Sequence, residues 1–200
     1  MNAMGVDVSV VVVSRGRPDA LGLCLTALGQ QDAVRAEVIV VACEAGLRAV
    51  ARHPLGAHVT AVPCGVANIS VARNLGWACA RFGVVAFVDD DAVPEPTWLA
   101  RLIAPFGDLG VQIAGGRVLG RNGITQQWGD RALDDWGRSH AFDAGLRRRV
   151  EGTNMALRRE LLQTLGGFDP AFRFYHDETD VIWRARLSNE HIVYVPQAVV

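Results

Sequence analysis

Apolar residues follow two rhythms along this chain, and the alternation between them predicts its fold class. Residues 7–13 (Asp-Val-Ser-Val-Val-Val-Val) are a near-continuous β-branched run, the composition of a strand buried on both faces of a parallel sheet. The loop Ser14-Arg15-Gly16-Arg17-Pro18 follows, and Pro18 suits the first turn of a helix carrying Leu21, Leu25 and Leu28. Residues 37–41 predict a second strand and residues 57–62 a shorter third. Asn68 and Ser70 can cap a helix containing Val71, Leu75, Ala78 and Cys79, with Gly83 as its stop. Residues 84–88 (Val-Val-Ala-Phe-Val) predict a fourth strand. The order βαβαβαβ implies a mostly parallel sheet covered on both faces.

Beyond a helix around Trp98 and Leu102 the pattern loosens. Residues 111–118 read as a strand, but residues 120–149 mix Gly, Trp, Asp and Arg without a clear period. A stretch so long and irregular in a compact domain is usually functional or mobile. Residues 155–165 are amphipathic and predict a helix stopped by Gly166-Gly167. Another helix begins near Asp177, with Val181, Ile182 and Ala185 on one face, and residues 191–195 predict a last strand. The closing Pro196-Gln197-Ala198-Val199-Val200 is apolar without a terminating signal, which suggests that the natural protein continues.

Composition narrows the class. Two hundred residues, half of them apolar, suffice for one α/β domain with a real core. A net charge of −1 gives no sign of a nucleic-acid-binding surface. The longest apolar runs are far too short to cross a bilayer, and Asp7 interrupts any signal-peptide pattern. Cys24, Cys43, Cys64 and Cys79 show no C-x-x-C spacing and sit among apolar neighbours. They read as buried reduced thiols of a cytoplasmic protein rather than a disulfide or zinc site.

The chemistry concentrates at Asp89-Asp90-Asp91, directly after the fourth apolar run. Strands of this kind end at the edge where open α/β sheets bind ligands. Three adjacent carboxylates repel one another, and a divalent cation relieves that repulsion; oxygen ligands suit Mg²⁺ or Mn²⁺, which are often shared with substrate phosphates. Asp89 and Asp91 point to the same side of an extended segment and can face one ion. The alternative is a polar turn that caps a helix starting near Pro94-Glu95-Pro96.

Further segments stand in a telling order. Ser70-Val71-Ala72-Arg73-Asn74-Leu75-Gly76 precedes the acidic turn, and Pro94-Glu95-Pro96-Thr97-Trp98-Leu99 follows it. Then come Gly152-Thr153-Asn154-Met155-Ala156-Leu157-Arg158-Arg159, Gly166-Gly167-Phe168-Asp169 and His176-Asp177-Glu178-Thr179-Asp180 with Arg184. In this order and spacing, from about Val8 to the end, the chain resembles the family-two glycosyltransferases of the GT-A fold. The resemblance implies a single GT-A (Rossmann-like) three-layer domain over residues 1–200, lacking a C-terminal extension. It also implies transfer of a sugar, with inversion, from a UDP-, GDP- or dTDP-sugar donor.

Carried over by position, Asp89 and Asp91 resemble the DxD pair, the first near the nucleotide ribose and the second holding Mn²⁺ or Mg²⁺ at the diphosphate. Asp90 is the variable middle position and points away. Arg73 matches an arginine suited to nucleotide phosphate, the alternative being a salt bridge to one of the aspartates. Ser14, Arg15 and Arg17 occupy the loop that lines the base pocket. The acidic pair that many members carry after the second strand is absent; Glu44 substitutes for it only if the loop is shifted. Gly152, Thr153 and Asn154 resemble the segment lining donor sugar and acceptor. Trp128 and Trp136 can stack on a sugar or be buried, and Arg147-Arg148-Arg149 can meet an anionic or lipid-phosphate acceptor or form a solvated loop.

The candidate base lies in Asp177-Glu178. Glu178 matches the family position that deprotonates the acceptor hydroxyl. Asp177, held in reserve, also reads as a helix N-cap with a lowered pKa, and Arg184 pairs with these acids. The acceptor is a glycan, lipid-linked or small molecule, and the resemblance allows a cytoplasmic location with peripheral membrane association at the inner face. Two alternatives stay open. One is a nucleotide-sugar-binding module without turnover, since no histidine follows His191 to complete a metal shell. The other is a sugar nucleotidyltransferase, which should carry a glycine-rich basic phosphate loop that Ser14-Arg15-Gly16-Arg17-Pro18 does not provide.

Overall fold

In this computed structural model, which describes residues 6–32, 34–134, 138–141, 147–188 and 190–200, the N-terminal half alternates strand and helix as its apolar rhythm predicts. β1 (Val8–Ser14), α1 (Pro18–Leu28), β2 (Ala36–Ala42), α2 (Glu44–Arg52), β3 (Val59–Pro63), α3 (Ile69–Ala78) and β4 (Val84–Asp89) follow in order. The four strands pair in parallel as β4-β1-β2-β3. Side chains alternate across each strand. Val8, Val10 and Val12 therefore pack with Leu21, Leu25 and Leu102 on one face, and Val11 packs with Ile39, Phe87 and Leu162 on the other.

The second half mixes directions. α4 (Trp98–Ile103) leads to β5 (Val111–Leu119), which pairs antiparallel with the short β6 (Gln126–Trp128). β7 (Arg131–Leu133), β8 (Ser139–Ala141) and β9 (Arg147–Arg149) form a separate three-stranded sheet, so the irregular stretch contains strands too short to show a period. β10 (Asn154–Arg158) inserts antiparallel between β4 and β5, followed by α5 (Arg159–Leu165), α6 (Asp177–Leu187) and β11 (His191–Val199). β11 runs parallel to β5 and completes an eight-stranded sheet.

Three expectations are corrected and one element was missed. The helix predicted over residues 155–165 is a strand up to Arg158, because Met155, Ala156 and Leu157 are all fully buried inside the sheet. Gly83 does not stop α3: Cys79 is the C-cap, and Gly83 lies just before β4. Cys79 is exposed and Cys43 half-buried, whereas Cys24 and Cys64 are buried as expected; all four are free thiols. α2 was not anticipated; it buries Gly46 and Val50 and packs Leu47 and Ala49 against the core.

The topology places the site. Parallel pairing sets Val13 beside Asp89, so β1 and β4 end together. The loop carrying Arg15 and Arg17 therefore lies against the acidic turn.

Candidate active site

Arg73 organises the centre. Asn68 caps α3 by accepting from the Val71 amide at 3.1 Å, and its own amide donates to the Pro170 carbonyl at 2.8 Å. The Ser70 hydroxyl donates to the Phe172 carbonyl at 2.5 Å, so the start of α3 is bound to the segment before α6. One turn on, the Arg73 guanidinium donates to Asp177 at 2.5 Å, to the Gly152 carbonyl at 3.0 Å and to Asp89 at 3.4 Å. It lies 5.9 Å from the Phe87 ring centroid and 5.6 Å from that of Phe168. Arg73 is 3% exposed. Arg73 thus forms the internal salt bridge named as the alternative to a phosphate contact. Gly152 fits this hub because a Cβ there would stand 2.7 Å from an Arg73 nitrogen.

The acidic turn divides its side chains as strand alternation requires. Asp90 is fully buried and points away from the surface; burial pushes its pKa up against the pull of Ser14 and Arg17. Asp89 and Asp91 remain 37% exposed at their side chains. Both line a cleft of about 550 Å³ together with Thr153 and Trp128. Asp89 also lines a second cleft of about 340 Å³, whose wall includes Ser14, Arg15, Arg17 and Tyr175. Arg17 pairs with both Asp90 and Asp91, the latter at 2.6 Å, and so bridges the two openings.

Asp177 and Glu178 open α6 behind a strained residue: His176, the N-cap, holds φ = 67°, a left-handed conformation uncommon outside glycine. Asp177 is 1% exposed and paired to Arg73, so the expected N-cap role and lowered pKa are both corrected; burial raises its pKa against Arg73. Burial also pushes Glu178 upward, but Arg73, its own backbone amide, Thr179 and Arg149 outweigh it and hold its pKa below the usual range. Its Oε1 accepts from Thr179 at 3.0 Å and from Arg149 at 3.3 Å. Neither acid is among the residues lining the two clefts. Arg149 connects Glu178 to the cleft wall, because its guanidinium lies 5.8 Å from the Trp128 ring centroid.

With this arrangement in view, three comparisons agree. A family profile described as glycosyltransferase like family 2 matches residues 6–200. The chain belongs to this family. Among curated proteins, the pre-mycofactocin glycosyltransferase of two Mycobacterium tuberculosis strains is 27% identical over 137 residues, spanning 66% of this chain and 29% of the relative. Among solved structures, the mannosyltransferase PcManGT of Pyrobaculum calidifontis, in complex with GDP-Man and Mn²⁺, superposes with a TM-score of 0.74 at 22% identity, covering 96% of this chain and 55% of that one. TarS 1–349 of S. aureus gives 0.73 at 20% identity, covering 96% and 59%. The chain therefore spans under two thirds of these proteins, and it carries the GT-A fold expected from the sequence.

Other residues expected at this glycosyltransferase-family site lie elsewhere. Glu44 is at the exposed start of α2, paired with Arg48, and lines neither cleft. Asn154 is fully buried, accepting from the Trp98 indole at 2.8 Å and donating to the Arg117 and Ala198 carbonyls at 2.9 and 3.0 Å. It pins β10 in the sheet, and its neighbour Thr153 faces the cleft instead. Arg184 pairs with Asp180 at 2.7 Å rather than with Asp177 or Glu178. Arg148 pairs with Asp130 at 3.1 Å and Arg149 with Glu151 at 3.0 Å, so these two are not a free basic patch. Trp136 lies outside the described residues, while Trp128 lines the larger cleft.

Glu151 was not anticipated. It is 9% exposed, and burial raises its pKa to about 7 against Arg149. A lone Glu beside an arginine run carries no periodic signal.

Among the described residues no three His, Cys, Asp or Glu side chains converge on a metal position. The two carboxylates Asp89 and Asp91 still fit an ion that completes its coordination with water and phosphate oxygens rather than with protein. Also among the described residues, no helix is long and apolar enough to cross a membrane.

Proposed function

We propose that this chain catalyses transfer of a sugar from a nucleoside-diphosphate donor to an acceptor hydroxyl, with inversion. The observation that supports it most is the position of the acidic turn between two clefts: Asp89 lines both, Asp91 the larger, and the β1 loop the smaller. In this reading Ser14, Arg15 and Arg17 receive the nucleoside of a UDP-, GDP- or dTDP-sugar, and the larger cleft receives the sugar and the acceptor. The solved neighbour bound to GDP-Man and Mn²⁺ supports a donor of this class.

Asp91, with Asp89, would hold Mn²⁺ or Mg²⁺. Such an ion neutralises charge on the departing diphosphate. The chain's own residues do the rest. Arg17 is half-exposed and placed to exchange its carboxylate partners for phosphate oxygens. Arg73 fixes Asp89 and Asp177 and so keeps the strand end and the start of α6 in one frame. Glu178 lines neither cleft; held ionised beside Arg149, behind the Trp128 wall of the larger one, it is the carboxylate we assign to accept the proton of the attacking hydroxyl. Trp128 offers its ring to a sugar from the cleft wall. The acceptor is a glycan, a lipid-linked molecule or a small molecule, met in the cytoplasm or at its membrane face.

The test is product formation by the purified chain with each donor. Glu178→Gln should lower turnover about 10²–10⁴-fold while nucleotide binding stays near wild type. Full turnover by that variant would remove Glu178 from the reaction. Nucleotide binding without any transfer would favour a binding module, and pyrophosphate release a nucleotidyltransferase.

A further inference from the structure

We propose that Glu151 is a positioning residue for Glu178: the two carboxylates share the one guanidinium of Arg149, and the charge state of Glu151 decides how much of that cation Glu178 receives. The inference rests on the reading of Glu178 as the base.

The geometry is explicit. The Nη2 of Arg149 lies 3.0 Å from Glu151 Oε2 and 3.3 Å from Glu178 Oε1. The arginine side chain is 13% exposed and each glutamate 11%, so water screens none of the three well. Two carboxylates around one cation leave a surplus negative charge in a poorly solvated place, and such a surplus is relieved when one of them keeps a proton. Glu151 is the one that keeps it. Its Oε1 is buried with no hydrogen-bond partner among the described residues. The charges facing it are Arg149, Glu178 and Arg131; burial, aided by the negative charge of Glu178, holds its pKa at about 7 against the downward pull of the two arginines. Glu178 faces Arg73, Arg149 and Asp177 and accepts from Thr179, which keeps it ionised. Arg148 pairs with Asp130 at 3.1 Å.

The backbone ties this trio to the rest of the site. The Asn154 amide donates to the Glu151 carbonyl at 2.9 Å and closes the turn that carries Gly152 to Arg73 and Thr153 to the larger cleft. The Trp128 ring under Arg149 belongs to the wall of the same cleft.

The consequence is directional. With Glu151 neutral, Arg149 is left to Glu178, which becomes a weaker base. With Glu151 ionised, Arg149 is drawn away and a second negative charge stands nearby, so Glu178 holds a proton more readily. The onset of strong basicity should follow the ionisation of Glu151 near neutral pH rather than that of Glu178 itself.

A pH titration of the side-chain carboxyl ¹³C resonance of Glu178 in the whole chain, without ligand, tests this. The wild type should show Glu178's own ionisation at low pH and a second inflection near pH 7, coincident with the titration of Glu151. In Glu151→Gln that second inflection should vanish. A single low-pH transition for wild-type Glu178, with nothing near neutrality, overturns the proposal. If Glu151→Gln does not fold, the wild-type curve alone decides. In turnover, kcat/KM should rise through neutral pH in the wild type and not in Glu151→Gln. Retained turnover in Glu178→Gln would remove the base reading, yet the resonance coupling would remain; loss of the coupling removes only the role of Glu151.

Discussion

Three arginines hold the acids of this site, and they differ chiefly in how much water reaches them. The Arg73 side chain is 4% exposed and joins Asp177 and Asp89; Arg149, at 13%, joins Glu151 and Glu178; Arg17, at 51%, joins Asp90 and Asp91. Buried ion pairs are costly to break, because the partner left behind has no solvent to turn to. A half-exposed pair loses little when opened, since water replaces the contact. The same chemical pair is therefore a fixed post at Arg73 and an exchangeable contact between Arg17 and Asp91. The site is rigid where α3 and α6 meet and adaptable where the β1 loop meets the clefts.

The largest expected effect breaks the fixed post. Arg73→Met should destabilise the fold by about 3–5 kcal/mol, the cost of stranding one partner of a buried pair, measured by urea unfolding. An unfolding midpoint like that of the wild type would show that Asp177 and Asp89 do not depend on Arg73.

The intermediate cluster should show itself in the pH dependence of stability. The pKa of Glu151 is raised to about 7 in the folded state. The folded chain thus keeps a proton that the unfolded chain releases. That contribution is complete below the ordinary carboxyl range and is lost as pH rises through about 7, by up to about 3 kcal/mol. Glu151→Gln should flatten this fall between pH 4.5 and 7.5. A parallel profile in the variant would mean that another group carries it.

Arg17→Gln should cost about 1 kcal/mol for the screened contact with Asp91, and more to the extent that the buried Asp90 stays charged without its cation. It should also raise the affinity of the unliganded chain for Mn²⁺, read by calorimetry, because the ion no longer competes with a guanidinium for Asp91. Weaker Mn²⁺ binding in the variant would mean that Arg17 holds Asp91 in place for the ion instead of opposing it.

The same contrast of buried and exposed explains what was legible from the residues alone. The strand over residues 84–88 and its acidic end were readable because composition and position coincide: a strand buried on both faces is apolar throughout, and carboxylates follow only where it leaves the sheet. β10 was not, because a run of buried residues has the same composition in strand and helix until its pairing is known. Glu178 was found as an acid at a helix start, but its contact with Arg149 spans 29 positions, and no local pattern reports such an approach. The run Arg147-Arg148-Arg149 looked like one basic patch; as β9, it sends Arg148 to Asp130 and Arg149 to Glu151, as alternation along a strand requires.

The central claim is that the acidic turn joins two clefts into one site for a nucleoside diphosphate. The most direct measurement is the shift in Tm produced by UDP, GDP and dTDP, each with and without Mn²⁺, in the wild type and in Asp91→Ala. A ligand bound only by the folded chain raises apparent stability by mass action, about 2.7 kcal/mol at a hundred times its Kd. The account predicts that at least one nucleotide stabilises the wild type only when Mn²⁺ is present, and that Asp91→Ala abolishes most of that shift. Equal Mn²⁺-dependent stabilisation of both proteins, or no stabilisation of the wild type by any of the three, would contradict it.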